Sequence, residues 1–142
     1  MKIKQLSLFI ENKPGALSAP CRTLADAGVN IITLCLADTQ DFGILRLIVE
    51  KWQEAKEILE SKQFVVKVTD VVAVEVDDVP GGLSKILSAL EKASLNVEYM
   101  YAFTCAKNGK AILVFRFEKP DEAISFLSSK KVNVLAPAHV FK

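Results

Sequence analysis

The chain has 142 residues, 51% hydrophobic and 25% charged, with only six Gly and five Pro, which excludes disordered, collagen-like and low-complexity classes and leaves one average domain or two small ones. Eighteen Lys and Arg against 17 Asp and Glu give a net charge of +1, so no long-range field gathers nucleic acid or anionic lipid. No segment approaches the roughly 20 apolar residues of a membrane span, and the first ten residues lack the apolar core of a signal peptide. Cys21, Cys35 and Cys105 form no Cys-x-x-Cys pair and suit unpaired thiols in a reducing compartment, so the expectation is a soluble cytoplasmic protein without nucleic-acid or membrane partners. A single histidine, His139, leaves zinc sites and histidine-based triads little material, which points away from an enzyme, a metal or a cofactor.

In chain order, Leu6, Leu8 and Ile10 alternate with Ser7 and Phe9, the period-two pattern of a half-buried strand. After Pro14-Gly15, Leu17, Cys21 and Leu24 recur at helical spacing and end at Gly28, a natural left-handed helix terminus. Residues 29–37 and 42–50 read as strands joined by a hairpin over residues 38–41. Trp52, Ala55, Ile58, Leu59 and Lys62 predict a second helix, and residues 64–69 a further strand. Residues 71–76 begin the pattern again. Leu83, Ile86, Leu87 and Leu90 fit a helix, residues 96–104 a strand, Asn108-Gly109 a tight turn, and residues 111–117 the next strand. A helix around residues 124–127 and a strand over residues 132–135 close the series.

The second series is a copy of the first. Asn12-Lys13-Pro14-Gly15-Ala16-Leu17-Ser18 matches Asp78-Val79-Pro80-Gly81-Gly82-Leu83-Ser84, residue 12 to residue 78, an offset of 66. Val29-Asn30-Ile31 matches Leu95-Asn96-Val97 at the same offset, as does Phe42-Gly43 with Asn108-Gly109. Towards the end Glu54-Ala55 matches Glu122-Ala123, an offset of 68, which places two extra residues near Glu118-Lys119-Pro120. The reading is α+β: two ferredoxin-like βαββαβ modules, residues 1–69 and 70–142, with antiparallel sheets carrying helices on one face. About 70 residues bury a marginal core, so the modules are expected to pack as a pseudo-dimer.

Chemistry is expected at the repeated loops. Proline at a first helical turn loses no needed N–H, the following glycine lets a ligand approach the backbone, and the positive helix end suits a carboxylate. Asn12 and Asp78 can equally cap those amides, and Asn30 and Asn96 are ordinary turn residues. Pro20 is expected inside the first helix, bending it.

The Asn/Asp-x-Pro-Gly-x-Leu loop, the Ala-Gly-Val-Asn-Ile strand entry and the βαββαβ order resemble the ACT domain, twice, over essentially the whole chain. The resemblance implies a regulatory module that binds a free amino acid between the loop of one module and the second strand of another. The first loop is similar to that of the serine-sensing ACT domain, where the matching asparagines hold the amino acid. The resemblance therefore assigns ligand contacts to Asn12, Lys13, Pro14, Gly15, Ala16, Leu17, Asn30 and Ile31. In the second copy it assigns them to Asp78, Pro80, Gly81, Gly82, Leu83, Asn96 and Val97. Asp78 departs from the pattern by placing a carboxylate where the first copy has an amide, which repels a ligand carboxylate and attracts an ammonium.

The function expected is non-enzymatic: a sensor that transmits amino-acid binding as a conformational or oligomeric change, as a homodimer or with a partner enzyme. The alternatives are a ligand-free assembly module or regulatory subunit for an amino-acid metabolic enzyme, and a small ferredoxin-fold enzyme. The last needs an Arg in a phosphate-cradling loop, whereas Arg22 and Arg46 fall within expected elements. Tyr99, Met100, Tyr101 and Phe103 read as strand residues that are core or pocket wall. Phe115 and Phe117 resemble stacking aromatics of an RNA-binding sheet, but the basic flank is too thin and a core role is preferred.

Overall fold

A computed structural model describes residues 1–103 and 108–141. In order, its elements are β1 (Ile3–Glu11), α1 (Ser18–Asp26), β2 (Ile31–Thr39), β3 (Phe42–Val49), α2 (Trp52–Ser61) and β4 (Val66–Asp77). There follow α3 (Gly82–Lys92), β5 (Val97–Ala102), β6 (Lys110–Phe117), α4 (Pro120–Ser129), β7 (Asn133–Leu135) and the short α5 (Pro137–Val140). The chain divides into two compact units, Lys4–Thr69 and Asp70–Lys142 with Met1–Ile3. The two strands expected on either side of residue 70 are one strand, β4, because residues 64–77 hold no Gly or Pro to interrupt an extended run. Residue 104, the expected end of β5, and Cys105 lie outside the described residues.

In the first unit β3 pairs antiparallel with both β1 and β2. Leu6, Leu8 and Ile10 of β1 and Leu45, Leu47 and Val49 of β3 meet Leu24, Ala55 and Leu59 from the helices. In the second unit β6 pairs antiparallel with β4 and β5, and β7 with β4. There Val72, Val74, Val76, Leu113, Phe115 and Phe117 meet Ile86, Leu90, Ala123 and Leu127. One face of each sheet thus carries both helices, the ferredoxin-like layer. Phe115 and Phe117 stack with centroids 5.4 Å apart inside this core, so they are not a nucleic-acid surface.

Each of α1 to α4 buries one i, i+4 pair: Pro20 and Leu24, Ala55 and Leu59, Ile86 and Leu90, Ala123 and Leu127. Pro20 occupies the place of Ile86, and it lies near the start of α1 instead of in its interior. A proline there cannot donate to the carbonyl of Ala16, so α1 starts at Ser18, two positions later than its copy α3 starts at Gly82. Pro20 falls in the first turn, where a helix tolerates a missing N–H better than in its interior.

The four longer helices, α1 to α4, end alike. Val29 and Gly28 donate to Leu24 and Ala25, Phe64 and Gln63 to Leu59 and Glu60, Leu95 and Ser94 to Leu90 and Glu91, and Val132 and Lys131 to Leu127 and Ser128. This is the Schellman arrangement, and its left-handed residue is Gly28 once but Gln63, Ser94 and Lys131 elsewhere.

The ladders also relocate the two-residue insertion. Ile31 faces Val49 and Val97 faces Phe117; Phe42 faces Glu11 and Lys110 faces Asp77. The offset of 68 therefore already holds along the whole of β6, and the extra residues lie between Ala102 and Lys110 rather than beside Pro120. Phe103 still bonds to Ile112 as its counterpart Ala37 faces Ile44, so the strand register is undisturbed.

Candidate functional site: the two Pro-Gly turns

Each Pro-Gly segment is a type II turn. Ala16 donates to the carbonyl of Lys13 (3.2 Å) and Gly82 to that of Val79 (3.0 Å). Pro14 and Pro80 hold the second position, and Gly15 and Gly81 the third at φ +86°; ψ at Gly81 is −4°. That conformation is open to glycine and strained for an L side chain. The chain then enters the helix directly, Ala19 donating to Gly15 and Lys85 to Gly81. The turn takes the amide of Ala16 or Gly82 for itself. The amides of Gly15 and Leu17, and of Gly81 and Leu83, have no acceptor among the described residues. Gly82 is fixed by a second constraint, since a Cβ there would stand 2.2 Å from the carbonyl oxygen of Asp77.

The N-cap residues are Leu17 and Gly81, not Asn12 and Asp78, and neither makes a side-chain cap. The Asn12 side-chain amide instead donates to the carbonyl of Gln40 (3.0 Å), and its backbone N–H to that of Asp41 (2.9 Å). Asn12 thereby ties the turn to the tip of the β2–β3 hairpin. Asp78 repeats only the backbone half, donating to Gly109 (2.9 Å). Lys13 pairs with Glu11 (2.7 Å), both exposed, a contact of small energetic weight. In the second unit Asp77 pairs with Lys110 across the strands. The hydrogen bond from Lys110, then its charge, holds the Asp77 carboxyl below the usual carboxylate range, and Asp77 raises Lys110 in return.

Asn30 and Asn96 are exposed and stand immediately before β2 and β5. They lie at the far end of their own unit from the turn. Asn12 follows Glu11, which faces Phe42, while Ile31 faces Val49, and the strand from Phe42 to Val49 spans about 24 Å. The second unit repeats this separation between Asp78 and Asn96. Ile31 and Val97 pack their side chains against their own cores. No single unit brings its turn and its strand-entry asparagine together. Met100 also packs on the core, whereas Tyr99 and Tyr101 are half-buried on the other sheet face, beside Arg116 and Val114.

Sequence reasoning missed Thr33. A bulge between Ile31 and Thr33 turns it inward, and its hydroxyl is a buried polar atom with no partner among the described residues. Nothing in a run of β-branched residues marks it. Among the described residues no cluster of His, Cys, Asp and Glu can hold a metal, and no helix is long and apolar enough to cross a membrane.

The profile of the ACT domain pair family matches residues 1–142. The chain is 32% identical over 79 residues to the acetolactate synthase small subunit of Buchnera aphidicola subsp. Baizongia pistaciae (strain Bp), a match over 55% of this chain. It spans about half the length of that relative. The crystal structure of protein BT0572 from Bacteroides thetaiotaomicron superposes with TM-score 0.93 at 42% identity, covering 100% of this chain and 97% of that one. The ligand-free regulatory subunit of aspartate kinase from Thermus thermophilus has the same fold, with TM-score 0.63 at 17% identity over 89% of this chain and 91% of that one. With the turn, the helix end and the βαββαβ order each present twice, the chain belongs to the ACT domain pair family.

Proposed function

We propose that this chain, in two modules of residues 1–69 and 70–142, binds a free amino acid and passes its concentration on to a partner enzyme of amino-acid metabolism or to its own oligomeric state. The observation that carries this is the duplicated type II turn with two amides lacking acceptors at the head of a helix. Such a turn receives a carboxylate without rearrangement. Asn12 is held in place by its bond to Gln40 and keeps its side-chain oxygen for an ammonium group. Because the turn and the strand-entry asparagine of one unit stand about 24 Å apart, a site that uses both takes them from two modules. A second copy of the chain is one source of the second module. Ligand affinity then differs between associated and separated modules, which is what coupling requires. Asp78 makes the second turn prefer the ammonium end, so the two turns are unequal.

A regulatory or assembly role without a ligand is favoured by one observation: Phe9 and Phe42 are 70% and 51% exposed on the first unit, an apolar surface of the kind that joins proteins. The unpaired thiols of Cys21 and Cys35 suit a reducing cytoplasm. The test is a thermal-shift screen of the proteinogenic amino acids. A concentration-dependent rise in melting temperature with at least one is expected; no rise with any leaves the assembly role.

A further inference from the structure

One helix-side groove, lined entirely by the second unit, has acquired charge that its copy lacks. An open space of about 1220 Å³ runs between α3, the end of α4 and the turn at Pro80-Gly81, and five lysines line it: Lys85, Lys92, Lys110, Lys130 and Lys131. Two acids line it as well, Asp77 paired with Lys110 and Glu75 accepting from the amide of Asn133 (3.3 Å), so five lysines against two carboxylates leave the lining at +3. Lys85 and Lys92 are seven residues apart on α3, about two turns and 10 Å along one face, with Ser88 and Ala89 between them as a low floor. Lys130 lies 5.8 Å over the ring of Phe126. At the matching positions the first unit has Ala19, Asp26, Phe42, Lys62 and Gln63. One fold, present twice in one chain, thus provides its own control: it does without four of the five lysines, Lys62 alone being kept.

We propose that this groove docks an acidic segment of a partner protein. Charge complementarity selects the occupant. The groove is wide and open where small-molecule pockets are enclosed and smaller. It contains no Arg to grip a phosphate bidentately, and Lys85 and Lys92, about 10 Å apart along α3, are spaced as a run of carboxylates can meet. Near-zero net charge elsewhere keeps the field local. The proposal rests on the reading that the chain acts through a partner protein, and does not require an amino acid to be bound.

The test is fluorescence anisotropy of labelled hexaglutamate with the full chain at low salt. Expected are saturable binding that weakens steeply with added salt, and a loss on the order of tenfold or more in the variant Lys85→Glu, Lys92→Glu, Lys130→Glu, Lys131→Glu. The corresponding four-fold Lys→Gln variant shows a smaller loss and serves if charge reversal impairs folding. A charge-matched control, Lys51→Glu, Lys62→Glu, Lys67→Glu, Lys119→Glu, retains binding. Absence of binding, equal loss in groove and control variants, or binding of inorganic tripolyphosphate but not of hexaglutamate overturns the proposal. An amino-acid thermal shift that persists when hexaglutamate fails confines the failure to the groove.

Discussion

The two units are the same solution reached with different surfaces. Positions that fix the backbone agree between them: Gly15 with Gly81 at φ +86°, Leu24 with Leu90, Leu59 with Leu127, and four Schellman ends. Positions that face outward have changed chemistry. Phe9 and Phe42 of the first unit correspond to Glu75 and Lys110 of the second, Ala19 and Asp26 to Lys85 and Lys92, and Asn12 to Asp78. The cores hold the turn in one geometry while its surroundings differ, which separates what the fold needs from what a ligand or partner selects.

Substitutions at matched sites test whether the two units are equivalent. The largest effect belongs to Leu24→Ala and Leu90→Ala, fully buried equivalents. Each is expected to cost about 2–5 kcal/mol, read by urea denaturation; a negligible loss at either contradicts their equivalence. Next is the turn. Gly82→Ala drives a Cβ into the Asp77 carbonyl and is expected to destabilise by about 1–3 kcal/mol, whereas its counterpart is already an alanine, Ala16. Gly15→Ala costs about 1–2 kcal/mol because φ is +86°. Smaller and opposite in sign, Ser94→Gly, Gln63→Gly and Lys131→Gly relieve left-handed strain at sites where α1 already uses Gly28, and are expected to raise stability by up to about 1 kcal/mol each.

The smallest effect is electrostatic. Asp77 is lowered by Lys110, so its contribution is present above the ordinary aspartate range and fades as pH falls through the lowered value. Lys110 is raised, so its contribution holds below the ordinary lysine range and is lost as pH rises through the raised value. The stability difference between wild type and Asp77→Asn is therefore flat across neutral pH, shrinks in acid, and is reduced by salt because the pair is exposed. A difference that grows in acid contradicts the assignment.

Much of the fold was legible because the chain states it twice. Alternation in β1, the helical spacing of Leu83, Ile86 and Leu90, and the Asn108-Gly109 turn, with both residues at positive φ, led to the right elements in the right order. The misplaced insertion shows the limit. Gly43 matches Gly109 at an offset of 66, whereas Ile44-Leu45 and Glu50-Lys51 match Ile112-Leu113 and Glu118-Lys119 at 68, and the strand registers decide for the second along β6. Pro20 was read from its average effect on helices, which is not its effect in a first turn. The turn itself was visible as Pro-Gly. The bond from Asn12 to Gln40 was not, because it joins residues 28 apart, and Thr33 was hidden because a bulge leaves no compositional mark.

The proposed function requires the first turn and a strand-entry asparagine to hold an amino acid together. Isothermal titration of a panel of free amino acids into wild type, Asn12→Ala and Asn30→Ala tests it most directly. The account predicts that at least one amino acid binds the wild type, and that each variant weakens it on the order of tenfold or more. Unchanged affinity in both variants, or no binding of any amino acid to the wild type, contradicts it.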